Sequence, residues 1–385
     1  MVERVLITGA RAAAALEIAR SFAAAGLEAH MADCTDACLS RWSRAPAAVH
    51  GYASPRRHPT RFARDIARLC GRLEPVLIVP ACEEVFHLAA LAEHGSLGGR
   101  LFAPPLDGLA RLHSKAAFAE NCAALGLPVP QTVRLTSPDA LAPFRAESET
   151  WVFKPEFSRF GAGALVGPRP EQLVSLAPSA ETAWVAQKRV AGDEASFYAV
   201  AVEGRVVAFS AYRSDWRLPG GAAYAFDPVA PDLSARLRAM AETLAAQHVT
   251  RGQFACDLIV DANGAPWLIE CNPRAVSGVH LFPRGPHLAL AMLGRLDDAG
   301  AASQPSQLGP AFWRYGLPAA MRSGRLEAWK RRRAAGRDVL SAPGDFAPAV
   351  GALVDTAAFA VRAAWRGLTL EEAMTCDIEW NGEPL

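Results

Sequence analysis

Short apolar runs alternate with longer amphipathic stretches through the first hundred positions. Arg4 to Thr8 reads as a strand and Ala13 to Ala25 as an Ala-rich helix stopped by Gly26. Leu27 to Ala32 is the next strand, Phe62 to Leu69 a helix, Val76 to Val79 a buried strand ending at Pro80, and Val85 to His94 another helix. This alternation predicts a parallel sheet with α/β order over residues 1–110. The pattern then changes. Leu112 to Leu125 predicts one helix carrying Lys115, and Gly126 to Pro130 stops it. Trp151 to Pro155 and Trp184 to Val190 read as strands. Ser196 to Val202 and Arg205 to Tyr212 form a hairpin about Glu203-Gly204, and Leu233 to Gln247 repeats on the helical period. Two further apolar strands run from Phe254 to Arg274, joined at Asp261-Ala-Asn-Gly264, a strong hairpin signal. Beyond residue 300 the pattern weakens. Ser303 to Gln307 reads as a linker and Leu368 to Met374 as a short helix.

The last hairpin carries the most chemistry. Asp257 lies on its first strand, and Glu270 and Asn272 lie at the end of its second. Residues two apart share a strand face. Two carboxylates and an amide are hard oxygen donors, suited to Mg²⁺ on a phosphate chain rather than to zinc. Arg274 adds a positive fork for phosphate or carboxylate. Taken alone, the hairpin is also readable as a surface element with solvated acids.

Composition removes several classes. The chain has 385 residues, 51% of them hydrophobic, which is enough for two or three domains. A net charge of +1 gives no global field for nucleic acid or an anionic membrane. The 8 cysteines include no CxxC pair, so reduced thiols and a cytoplasmic location are expected. Cys34 and Cys38 have the spacing of one helix face. No signal peptide and no apolar run of about 18 residues is read. Lys330 to Arg333 is the densest basic run, read as the solvated end of a helix.

The loop after the first strand, ITGARAAAA, has one glycine where a dinucleotide fingerprint needs G-x-G-x-x-G. A structural turn or a small-anion contact at Gly9 both remain open. Glu84, in Ala81-Cys-Glu-Glu84, follows a strand C-terminus, and is either a ligand for a substrate ammonium group or a helix-start acid. His280 is either a packed histidine or a group that helps deprotonate an amine.

Further parts occur in a fixed order between these. Lys115 and Lys154 can approach phosphates as point charges. Ser158-Arg159-Phe-Gly161-Ala-Gly163 can fold over them, its glycines exposing backbone N–H groups. No G-K-[ST] follows, so it is not a Walker A loop. Gln187 can read the adenine amino edge together with the Lys188 to Val190 backbone, and Glu194 can take the ribose hydroxyls.

Through "HSKAAF", "LGLPVP", "WVFKPEFSRFGAG", "QKRVAGDE" and "FACDLIVDANGAPWLIECNPR" the sequence resembles the ATP-grasp superfamily, from Leu101 to Arg274. Around the metal residues it is similar to D-alanine–D-alanine ligases. In ECNPR it is similar to carbamoyl phosphate synthetase and the amino-acid ligases. The resemblance implies a Rossmann-like pre-ATP-grasp domain at 1–110, an N-terminal ATP-grasp subdomain at 111–185, a C-terminal subdomain with the magnesium site at 186–300, and an extension at 301–385 serving as lid or dimer surface. It further implies that Lys115 and Lys154 are phosphate lysines and that Gln187 and Glu194 are adenine and ribose contacts. Asp257, Glu270 and Asn272 become ligands of Mg²⁺, or Mn²⁺ in its place, and Arg274 a substrate-side arginine. Lys188 departs from the family pattern, which often has Glu there.

The implied activity is an ATP-dependent carboxylate–amine ligase working through an acyl phosphate on small molecules. The alternative inside the superfamily is phosphorylation of bicarbonate or carbamate. From other classes, a nicotinamide oxidoreductase lacks its fingerprint, and a silent nucleotide-binding scaffold has no reason to keep both lysines and the acids.

Overall fold

A computed structural model describes residues 2–159, 163–218, 222–300 and 304–385. Among these residues the strands form three sheets. The first is parallel and follows the predicted alternation. It comprises β1 (Arg4–Thr8), β2 (Glu28–Asp33), β3 (Ala48–Gly51) and β4 (Leu77–Pro80), in the order β3-β2-β1-β4. Helices α1 (Ala13–Ala24) and α2 (Pro59–Leu73) connect β1 to β2 and β3 to β4, and α3 (Glu84–Glu93) follows β4. Gly9 follows β1 with φ +72°, and a Cβ there would come within 2.8 Å of the Cys82 sulfur. The turn is therefore glycine because β4 and its loop pack against it. Cys34 and Cys38 do not share a helix face: Cys34 lies in a bend after β2 and Cys38 precedes a short 3₁₀ turn.

The predicted helix 112–125 is two helices, α4 (Leu106–His113) and α5 (Lys115–Ala124). Ser114 breaks them. Its backbone is extended, and its hydroxyl accepts the Ala117 N–H as the cap of α5. The break places Lys115 in the first turn of α5.

The second sheet contains β5 (Thr132–Leu135), β6 (Trp151–Pro155), β7 (Leu165–Val166) and β8 (Trp184–Lys188), in the antiparallel order β5-β8-β6-β7. The third is the largest. Strands β9 (Gly192–Val202), β10 (Arg205–Arg213), β11 (Ala225–Pro228), β12 (Arg251–Asp261) and β13 (Pro266–Asn272) are joined by two short strands, β14 (Ser306–Gln307) and β15 (Arg337–Asp338). The expected linker at 303–307 is thus partly a strand: Ser306 and Gln307 pair with β11 on one side and β15 on the other. Helix α6 (Pro231–His248) lies on this sheet, burying Leu237, Met240, Ala241 and Leu244.

The β12–β13 hairpin closes as predicted. Asp261 accepts the N–H groups of Asn263 and Ala265, and Gly264 turns the chain at φ +78°. One core runs from the first sheet into the third, where Ile18 and Phe22 of α1 belong to the same buried cluster as Tyr198, Val200, Phe282 and Leu288. The 301–385 segment returns to the N-terminal layer. Arg337 reaches Glu17, Arg20 reaches Asp345, and Arg11 reaches Asp377. Its helix Ala347–Arg366 has the length and apolar composition of a membrane span.

Candidate active site

Register along the hairpin decides which side chains meet. Asp257 pairs directly with Glu270, and Asn272 pairs with Ala255 two positions along, so all three face the same way. Asn272 Nδ2 donates to Asp257 Oδ2 at 3.2 Å, and Ser196 on β9 donates to Asp257 Oδ1 at 2.6 Å. Burial and the facing Glu270 carboxylate push Asp257 up to about 6.

The two lysines converge on the same carboxylate from different elements. Lys115 Nζ is 3.5 Å and Lys154 Nζ 3.9 Å from Glu270 Oε2. Burial alone would raise Glu270, but Lys115 and Lys154 together hold it below the usual carboxylate range. Lys154 is brought down to about 8, chiefly by burial and in part by Lys115, against the pull of Glu270. A cation in the first turn of a helix opposes the helix dipole. Lys115 tolerates that position because Glu270 and the Ser158 carbonyl and hydroxyl, at 3.2 and 3.1 Å, surround its ammonium group.

Arg274 closes the other end, donating to Asn272 Oδ1 at 3.3 Å and lying 3.6 Å from Glu83. Gln187 is buried beside the hairpin, donating to Thr132 Oγ1 at 3.0 Å and toward the Ile269 carbonyl at 3.4 Å.

Residues 112–278 match the ATP-grasp domain. That span contains every one of these groups except Glu83. Solved structures agree on the fold. Staphylococcus aureus N5-carboxyaminoimidazole synthetase complexed with ADP superposes with a TM-score of 0.65 at 15% identity, over 83% of this chain and 86% of that one. Thermotoga maritima phosphoribosylamine–glycine ligase gives 0.57 at 19%, over 76% and 75%. Bacillus licheniformis L-amino acid ligase gives 0.55 at 17%, over 74% and 69%. No curated protein sequence matches the chain significantly.

Not every predicted residue of the ATP-grasp site turns toward the lysines. Lys188 points away on the alternate face of β8. Its ammonium group meets Thr150 at 3.0 Å and lies over the Trp151 ring. Only its backbone and that of the half-buried Val190 remain for an adenine. Glu194 shares the Ser196 face of β9 and is ion-paired with Arg217 at 2.5 Å. Gly161 lies outside the described residues. Gly163 is described, with φ +73°.

Arg159 departs most from expectation. Its guanidinium is not turned in toward the lysines but bound by Glu83, Glu379, Asn381 and the Trp380 carbonyl. The Trp380 indole stacks on Phe86 and meets Phe157 edge-on, so residues 379–381 strap the Phe157–Arg159 segment to the N-terminal layer.

Sequence reasoning also missed Glu156, Glu83 and Ser196. Glu156 accepts from Ser114 at 2.5 Å and Arg134 at 2.7 Å, tying the start of α5 to β5 and β6. The two readings of Glu84 resolve toward structure. It is buried against Thr8 and the Ala81 and Cys82 N–H groups, and burial raises it. His280 is a packed histidine, stacked on Phe226 and lowered to about 4 by burial. Arg11, in the turn after β1 where a dinucleotide fingerprint would stand, is bound to Asp33 and Asp377.

No group of three or more His, Cys, Asp or Glu side chains gathers for a metal among the described residues. A divalent ion here would take two carboxylates, one amide oxygen and oxygens of the nucleotide. That donor set is hard and suits Mg²⁺, and the mutual repulsion that raises Asp257 is what such an ion would relieve.

Proposed function

We propose that this chain is an ATP-dependent carboxylate–amine ligase. The observation that carries the reading is the convergence of Lys115 and Lys154 on Glu270, opposite Asp257 and beside Arg274. Two cations and two acids from separate elements, gathered on one hairpin face, suit a polyphosphate and its counter-ion better than any packing role.

Lys115, Ser158 and Lys154 would hold the phosphates. Gln187 and the Lys188–Val190 backbone would read adenine, and Glu194, released from Arg217, the ribose. Asp257, Glu270 and Asn272 would hold Mg²⁺, which when bound neutralises charge on the terminal phosphates. A substrate carboxylate oxygen attacks the γ-phosphorus, the bond to the β-phosphate oxygen breaks, and ADP leaves. Such a transfer needs charge neutralisation and in-line positioning rather than a covalent enzyme nucleophile. Lys154 and Arg274 are placed to stabilise the charge as it shifts. An amine nitrogen then attacks the acyl carbon, phosphate departs with its electron pair, and the amine proton passes to solvent.

ADP release with MgATP, measured across amino acids and other carboxylic acids with and without bicarbonate, tests this reading. Release that needs both a carboxylic acid and an amine supports it. Release with bicarbonate alone would move the assignment to carboxyphosphate chemistry, and stabilisation by NADH but not by MgATP would remove it.

Lys154 also sets an expected pH limb. The free enzyme's kcat/KM should fall as pH rises through about 8, because the ammonium that faces the phosphates is then lost. Lys154→Arg should carry that limb upward, since a guanidinium keeps its charge. A wild-type profile flat to pH 10 would show that Lys154 does not meet the phosphates.

A further inference from the structure

The helix Ala347–Arg366 has one face fixed to the protein and one face bare. Pro348, Gly351, Phe359 and Ala363 are buried. Gly351 lets the backbone rest against the Trp42 indole, whose N–H reaches Asp355 at 3.4 Å. Arg362 turns inward to Thr35 at 3.0 Å. On the other face Phe346, Val350, Leu353, Val354, Val361 and Trp365 are each exposed by 49% to 89%. The exposed positions between them are alanines and Thr356, whose hydroxyl returns to the Ala352 carbonyl, so no charge interrupts the stripe.

Large residues stand at mirror positions toward the two ends of the stripe. Turned antiparallel about its midpoint, between Asp355 and Thr356, it sets Phe346 against Trp365 and Val350 against Val361. Nearer the centre Leu353 meets Ala358 and Val354 meets Ala357, large against small, which lets two helix axes come within about 8–10 Å. A two-fold interface requires this property, that each residue meets its own mirror position on an identical surface. With aromatic side chains worth roughly 150–250 Å² each, the six expose on the order of 600 Å² per copy. That is at the upper end of what monomers leave bare and most of the ~800 Å² per partner that a stable interface buries.

We propose that this face joins two copies of the chain, helix antiparallel to helix across a two-fold axis. A helix lying on a membrane surface would carry Lys and Arg along its borders, whereas here Arg362 is drawn inward. The proposal is independent of the ligase reading, and its test has no activity readout.

Sedimentation velocity over a concentration series is the experiment. Wild type should run as a dimer, twice 41.0 kDa. Val350→Glu and Val361→Lys should each run as monomers with unchanged melting temperature, and the double variant should regain the dimer because every Glu then faces a Lys. Trp365→Gln, at the most exposed position, gives a second break if Val350→Glu does not fold. A wild type that stays monomeric, a dimer that survives Val350→Glu and Trp365→Gln, or a double variant that stays monomeric would each overturn the proposal. A monomer that floats with phosphatidylserine vesicles would assign the face to a membrane surface instead.

Discussion

Glu270→Gln is expected to abolish ATP-dependent turnover while the chain stays folded. The amide keeps the shape of the side chain and loses its charge. Lys115 and Lys154, both within 4 Å of Glu270 Oε2, then face each other without their shared counter-ion, and the proposed metal loses one of two carboxylates. The transition state should lose on the order of 3 kcal/mol or more, which is at least about a hundredfold in rate. Asn272→Ala should fall in the same direction, since its amide also orients Asp257. Steady-state ADP release and a melting curve on the same preparation check both parts. Near-normal turnover in folded Glu270→Gln would sink the metal and phosphate assignments together.

Arg11→Ala is expected to cost about 3–5 kcal/mol of stability, the range for removing one partner from a buried ion pair. The Arg11 side chain is 4% exposed and serves two carboxylates, Asp33 at 2.5 Å and Asp377 at 2.7 Å. Asp33 keeps backbone N–H groups of Arg11, Cys34 and Thr35 as donors. Asp377 keeps the Cys34 thiol and Arg362 at 3.7 Å, so most of the loss should arise at Asp377. Urea unfolding measures it. Arg4→Ala, which breaks the exposed pair with Glu28, should cost less than about 1 kcal/mol. Equal costs for the two variants would show that water replaces the Arg11 network.

The hairpin was legible because two local signals agree in it: alternation along both strands and the turn residues Asp261 to Gly264. Lys154, Glu270 and Asn272 followed, since each lies at or near the end of a strand the pattern marks. The break at Ser114 was hidden by alanine on both sides, which fits one helix as readily as two. Glu83 and Glu84 differ by one position, and sequence cannot say which points into the site. Packing decides it, by pinning Glu84 to Thr8 at 2.6 Å. The Arg159 contacts with Glu379 and Asn381 join positions 220 and 222 residues apart, beyond the reach of any local pattern. The helix 347–366 was passed over because its apolar residues stand on the exposed side while Asp355 and Arg362 turn inward, the reverse of the usual pattern.

The Arg11–Asp377 contact also orders events during synthesis. Asp377 is made 366 residues after Arg11. A nascent N-terminal layer can fold early, as domains generally do, but with one carboxylate partner and an open seam where Trp380 later stacks. The ionic cluster and the aromatic cover of the Phe157–Arg159 segment therefore close together, only once residues 377–381 have been made. A chain stopped before Asp377 would keep its sheets yet display that unsealed seam, a ready point of entry for proteases.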